Sequence, residues 1–84
     1  MDIESEIKKF IAKNLLYSGD GFKYSDDVSF LEEGIVDSIG VMELVAFVEE
    51  KYKFRVNDQD VTPDNFDSVN RLASYIRRHI QVTQ

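Results

Sequence analysis

The chain has no cysteine and no tryptophan, one proline and one histidine. Without thiols there is no disulfide framework, no thiolate nucleophile and no sulfur-ligated metal centre. The lone histidine, His79, stands in a basic stretch that reads as surface, so a nucleophilic serine elsewhere would have no base to activate it. Long hydrophobic runs are missing as well, and nothing approaches the roughly 20 apolar residues of a membrane span. The opening MDIESEIKKF carries acid where a secretory signal has base, and no apolar core follows it. Together these absences predict a cytoplasmic protein with no membrane insertion.

Positive charge is scarce along one stretch in particular. Between Asp26 and Glu50 there is no Lys or Arg, while Asp26, Asp27, Glu32, Glu33, Asp37, Glu43, Glu49 and Glu50 all fall there. With a formal net charge of −6, the chain lacks the basic patches that nucleic acid requires. The acidic block serves at least as a solvated face, and it can steer a basic protein surface towards this part of the molecule. The acids do not spell a calcium loop. One starting at Asp58 would place Pro63 where glycine is needed and Val69 where the closing Glu belongs, and SGDGF lacks the ligand series too. No metal site is expected.

What is present is a small globular composition: 84 residues, 43% hydrophobic and 31% charged. Residues 1–84 read as one small domain, and a monomer. A chain of this size buries only somewhat more than roughly 60% of the surface its unfolded form exposes, which leaves little room for a deep enzyme cleft.

Helical periodicity dominates. In residues 2–16 Ile3, Ile7, Phe10, Ile11 and Leu15 share a face, with Asp2 as N-cap. A long aperiodic stretch with two glycines, YSGDGFKYSDDVS, reads as a loop, pinned to the core at its far end by Phe30 and Leu31, and also by Phe22 and Tyr24. A second helix spans about 37–52. Thr62-Pro63 has the form of an N-cap followed by proline at the first helical position, so a short helix is expected there. A last helix, about 67–80, buries Val69, Leu72, Ala73, Ile76 and Ile80, with Arg77, Arg78 and His79 complementing its dipole. The predicted fold is all-α: a small four-helix bundle of three main helices and one short one, with a long loop between the first two.

The second helix has more apolar residues than one buried face can use. On a wheel of about 100° per residue, Val41, Leu44, Val45, Val48 and Tyr52 gather on one side. Ile39, Met42 and Ala46 gather nearly opposite, beside Glu43, Glu49 and Glu50. An 84-residue bundle cannot bury both sides. The second stripe is therefore expected to stay exposed as a docking surface rimmed with carboxylates. Phe47 and Phe54 point between the two faces, and the wheel does not place them.

Either Asp37 or Ser38 can cap this helix. No capping box supports Ser38, because Val41 stands three residues on. GIVDSIG is not the G-x-S-x-G elbow of a hydrolase either. A hydroxyl at a helix start can bear a phosphate, which unpaired N–H groups and the helix dipole favour there by about 0.3–1 kcal/mol. Asp37 opposes that by like charge, unless a divalent metal bridges the two during attachment. Gly40 leaves the backbone beside the serine uncrowded.

With these residues in place, FLEEGIVDSIGVMELVAFVEEKYKF resembles the centre of an acyl carrier protein, and the helix order and PDNFDSVNRLASYI extend the resemblance over nearly the whole chain. The resemblance implies a non-catalytic carrier with 4′-phosphopantetheine, drawn from coenzyme A, on Ser38. Asp37 would help a phosphopantetheinyl transferase hold Mg²⁺. Ile39, Met42, Glu43, Ala46, Glu49 and Glu50 would meet partners with basic docking surfaces: that transferase, an acyl- or aminoacyl-loading ligase, and a downstream acyltransferase or synthase. Ile39-Gly40 after the serine differs from the Leu-polar pair usual in fatty-acid-synthesis carriers. GIVDSIG is nearer to stand-alone specialised carriers, including D-alanyl carriers, which implies envelope lipid or polysaccharide modification or secondary metabolism. The competing expectation is an unmodified helical adaptor that uses the exposed stripe to bind a basic partner. Within the carrier reading, Leu44, Val48, Tyr52, Val56, Val69, Leu72 and Ile76 are candidates to line a cargo cavity, narrowed by Tyr52 in favour of short or polar cargo.

Overall fold

The computed structural model describes residues 2–17 and 19–82 of the chain, and among them the regular structure is entirely helical. Four α-helices run in order: α1 Ile3–Asn14, α2 Ser38–Tyr52, α3 Pro63–Phe66 and α4 Val69–Val82, with a single 3₁₀ turn at Asp58–Asp60 that the periodicity did not signal. α1 starts where expected. Asp2 accepts hydrogen bonds from the Ser5 backbone N–H (3.3 Å) and the Ser5 hydroxyl (2.6 Å). It ends at Asn14, earlier than the apolar pattern suggests, because Leu15 and Leu16 both turn their N–H groups back to the Ile11 carbonyl.

α4 packs against α1, α2 and α3. Ile7 and Ile11 of α1, Leu44 and Val48 of α2, and Val69, Leu72, Ala73 and Ile76 of α4 all have 0% exposure, so three helices meet in one apolar centre. Each of the larger side chains contributes about 1.5–3 kcal/mol relative to an exposed position. Ile80 is only half-buried at the edge of that centre. Val41 and Val45, expected in the core face of α2, are half-buried too, leaving Leu44, Val48 and Tyr52 to make the inward contacts.

The long connection is tied down through its second half. The Ser29 hydroxyl donates to Asp67 Oδ2 at 2.5 Å, the Leu31 N–H to Asp67 Oδ1 at 3.0 Å, and the Phe30 N–H to the Asp67 carbonyl at 2.8 Å. Asn70 reaches back to Asp26 and Asp27, and Lys8 pairs with Asp26 at 3.0 Å. Phe30 is the pin, at 1% exposure, but Leu31 is 56% exposed: the backbone bonds to Asp67 turn its side chain outward. Phe22 is half-buried against the core, and Tyr24 is exposed beside it, their ring centroids 5.5 Å apart.

The two phenylalanines the wheel left unplaced face different neighbours. Phe47 stacks on Phe10 of α1 at 4.3 Å, and Phe54 stacks on His79 at 4.6 Å with the rings 6° from parallel. His79 is thus a half-buried aromatic partner and not a bare surface residue. α2 closes on Lys53 in the left-handed conformation (φ 63°), and Glu49 Oε2 accepts the Val56 N–H at 2.9 Å, folding the chain back after the helix. The Tyr75 hydroxyl donates to Asp60 Oδ2 at 2.8 Å and anchors the 3₁₀ turn to α4.

Candidate functional site

Asp37, and not Ser38, caps α2: Asp37 Oδ1 accepts the Gly40 N–H at 2.8 Å. Ser38 is the first helical residue, exposed, and no hydrogen bond among the described residues engages its hydroxyl. Gly40 works inward rather than beside the serine. A Cβ there would come within 3.0 Å of Val36 Cγ1 and 3.7 Å of Leu15 Cδ1, so its absence lets the first turn of α2 sit tightly on the chain before it. Ser38 therefore projects from a firmly seated helical start.

Two grooves flank that start. One, of about 430 Å³, contains Ser38 and runs between the beginning of α2 (Val41, Met42), the tied loop (Phe30, Leu31, Val36) and the α3 region (Val61, Thr62, Pro63, Phe66), with Asp67 at its edge. Its wall is almost wholly apolar. The other, about 300 Å³, lies between the end of α1 and α2 and includes Asp37, Ile39 and Glu43. The cavity expected among Leu44, Val48, Tyr52, Val56, Val69, Leu72 and Ile76 is instead solid core. Five of those seven have no exposure, and Tyr52 and Val56 have 8% and 9%. The space sits beside the serine, not beneath it.

The second stripe of α2 is exposed as its periodicity demands: Ile39 at 73%, Met42 at 64%, with Ala46 also in solvent. Glu43 and Glu50 are exposed alongside. Glu49 is different, half-buried and committed to the Val56 N–H. Ala46, Glu43 and Glu50 border a further hollow with Phe10 and Phe47 between α1 and α2. Of the groove residues, Val61 and Asp67 were not singled out from sequence, and Leu31 was expected in the core rather than on the groove wall. Asp67 looks there like the start of the last helix, and only its 36- and 38-residue-distant partners reveal it as a tie.

Among the described residues no group of three or more His, Asp or Glu side chains is placed to hold a metal ion, and no helix is long and apolar enough to cross a membrane. Asp37 is a single carboxylate whose second oxygen is not used in the cap.

Residues 5–76 match the family model described as phosphopantetheine attachment site. The chain belongs to that family. Its curated relatives include the acyl carrier protein of Chlamydia trachomatis, 30% identical over 94% of this chain and 97% of the relative. The acyl carrier protein of Chlamydia caviae is 29% identical over 92% and 95%. The D-alanyl carrier protein of Abiotrophia defectiva is 28% identical over 64% and 68%. The family attaches 4′-phosphopantetheine covalently, and its carriers work with a phosphopantetheinyl transferase and with acyl-processing enzymes.

The residues present fit such a group. An unengaged hydroxyl stands in solvent at a helix start, the cap is supplied by a different residue, and an apolar groove opens alongside. When bound, the arm supplies a thiol that holds an acyl group as a thioester.

Proposed function

We propose that Ser38 carries the 4′-phosphopantetheine arm and that the protein, catalysing nothing itself, presents a thioester-bound acyl or aminoacyl group to successive enzymes. One observation carries this reading: Asp37 meets the structural need at the start of α2, so the exposed Ser38 hydroxyl is left for chemistry. In loading, the Ser38 oxygen bonds to the pantetheine-side phosphorus of the coenzyme A pyrophosphate while the bond from that phosphorus to the bridging oxygen breaks, and adenosine 3′,5′-bisphosphate leaves with that oxygen. The serine proton passes to a base on the transferase. Asp37, whose second oxygen is not used in the cap, would be the residue of this chain that helps the transferase hold Mg²⁺, which would supply positive charge to the phosphates during attachment.

The exposed Ile39, Met42 and Ala46, with Glu43 and Glu50, support weak and fast docking to basic sites on the transferase, an acyl- or aminoacyl-loading ligase and a downstream acyltransferase or synthase. Glu49 is the least available of the set, because its carboxylate already holds the Val56 N–H. Residues 1–84 act in this reading as one cytoplasmic, monomeric carrier domain. Ile39-Gly40 after the serine favours a specialised pathway over housekeeping fatty-acid synthesis. The apolar lining of the groove beside Ser38 favours an acyl group over one bearing an ammonium, and the ties that hold its walls at Asp67 and Asp60 favour a short one.

The test is intact mass spectrometry after incubation with coenzyme A, Mg²⁺ and a broad-specificity phosphopantetheinyl transferase. The native protein gains the mass of the arm and Ser38→Ala does not. Native protein that gains nothing, or an alanine variant that is loaded, overturns the assignment. Mass analysis of protein from its own cell then identifies the cargo.

A further inference from the structure

The groove that contains Ser38 has only Ser38, Thr62 and Asp67 as polar side chains in its lining, all the others being apolar. Two of the three are committed once the arm is attached. Ser38 is then an ester, and each Asp67 oxygen already accepts a bond, Oδ2 from the Ser29 hydroxyl and Oδ1 from the Leu31 N–H. Thr62 is different. It is half-buried at the N-cap of α3, yet its side chain makes no cap hydrogen bond, and no other hydrogen bond among the described residues engages its hydroxyl. The Asn65 and Phe66 N–H groups donate to the Thr62 carbonyl instead, at 3.0 and 2.9 Å. The Thr62 backbone is extended (φ −131°, ψ 161°), which valine adopts as readily. Neither the cap nor the backbone therefore calls for the hydroxyl. It is also held in place. The Thr62 N–H donates to the Asp60 carbonyl at 2.9 Å, and the Asp60 carboxylate accepts the Tyr75 hydroxyl at 2.8 Å. A fixed hydroxyl without a partner thus stands in an otherwise apolar wall.

We propose that the cargo is a short hydroxyacyl group and that Thr62 selects it, its hydroxyl bonding to the hydroxyl on the acyl chain. The proposal rests on Ser38 bearing the arm and on this groove taking the acyl group, and it adds the chemical class of that group. An unsubstituted chain in the groove would cut the Thr62 hydroxyl off from water with nothing to pair it. A buried polar group left unpaired is costly, so a site of this kind discriminates against the analogue that lacks the matching group. A hydroxyl also fits better than a carbonyl. It can accept from Thr62 and donate to Asp67 at the groove's edge, whereas a carbonyl has no proton to give and turns its lone pairs towards a carboxylate.

The test uses the full chain, loaded by a broad-specificity phosphopantetheinyl transferase from each acyl-coenzyme A, with intact mass confirming the product. Melting temperatures are compared for the holo form and for the butyryl, acetoacetyl and each of the monohydroxylated butyryl forms. At least one hydroxybutyryl form is expected to melt about 3 °C or more above the butyryl form, and the acetoacetyl form no higher than butyryl. Thr62→Val keeps the native melting temperature without cargo and removes the hydroxyl advantage, while Thr62→Ser retains it. If butyryl raises the melting temperature of the holo form but no hydroxybutyryl form exceeds butyryl, the hydroxyacyl class is overturned and the groove reading stands. A hydroxyl advantage that survives in Thr62→Val, or an acetoacetyl form equal to the best hydroxybutyryl one, also overturns the proposal. Acyl forms that all melt with the holo form overturn the groove as the cargo site, and this proposal with it, leaving Ser38 standing. Native protein that never gains mass overturns all three.

Discussion

Glu4 and Arg77 form a two-pronged ion pair, 2.6 Å on each prong, that ties the first turn of α1 to α4. It spans 73 residues of sequence and is the one fork-to-fork pair among the salt bridges of the described residues. The Arg77 guanidinium holds the Glu4 carboxyl below its ordinary range. A carboxyl depressed in the folded state adds stability above its unfolded pKa and loses it as pH falls through the lowered folded value. Glu4→Gln should therefore cost about 1 kcal/mol near neutral pH, discounted for partial exposure, and almost nothing in strong acid. Urea titrations at the two conditions check this. An equal loss at both would show that the pair acts through packing alone.

The serine and its neighbour should separate cleanly. Ser38→Ala removes a hydroxyl that caps nothing, so its stability should stay within about 0.5 kcal/mol of native, while loading is abolished. Asp37→Ala loses the bond to the Gly40 N–H and should cost about 1 kcal/mol. Thermal melts of both variants decide the point. A Ser38→Ala variant as damaged as Asp37→Ala would mean that the hydroxyl is structural.

Much of this was readable in the chain itself. Spacing alone placed α1, α2 and α4, because three-residue and four-residue intervals between Ile, Leu and Val survive any tertiary context. It also exposed the stripe of Ile39, Met42 and Ala46. The outward turn of Leu31 and the ties made by Asp67 and Glu49 escaped for a common reason. They depend on hydrogen bonds between a carboxylate and groups brought near it by folding, and no periodicity encodes such partners. The groove beside Ser38 escaped likewise, because the residues pointing inward from α2 fill the core completely.

Charge reversal on α2 should distinguish docking from scaffolding. Glu43→Lys and Glu50→Lys should slow transfer to partner enzymes several-fold and flatten its dependence on ionic strength, with helix content unchanged. Glu49→Lys should in addition lose about 1.5–3 kcal/mol of stability through the orphaned Val56 N–H. Circular dichroism and transfer rates across a salt series test both. Equal rates for native and reversed proteins would remove the acidic rim from the docking surface.

Tyr52 carries a buried hydroxyl with no hydrogen-bond partner. Burial, with the nearby Glu6 charge adding to it, pushes its pKa from 10.0 up to about 12. The contribution is intact below about 10, where the unfolded residue starts to ionise, and is lost as pH rises towards 12. Tyr52→Phe should be neutral or stabilising by up to about 1 kcal/mol, since it removes an unsatisfied group, and should blunt the alkaline loss. Melting curves from neutral to alkaline pH would reveal it. A marked destabilisation by phenylalanine would point instead to an ordered water on the hydroxyl.

Asp67→Ala breaks the ties from Ser29 and Leu31 at the rim of the groove and should cost about 1.5–3 kcal/mol. Native holo-protein should gain at least as much melting temperature from a short acyl group as from a long one, and the alanine variant should lose that preference. A long chain that stabilises the native protein far more than a short one would count against the short-cargo reading.

The α3 side of the groove is fastened near both ends, through the Tyr75 hydroxyl on Asp60 and through Asp67 on the loop opposite. Such a recess is a mould rather than a bag. On the proposal that this groove takes the cargo, a guest that matches it would enter without rearrangement, while an oversized one would first have to tear a side-chain bond, and stiffness itself would become the means of choosing.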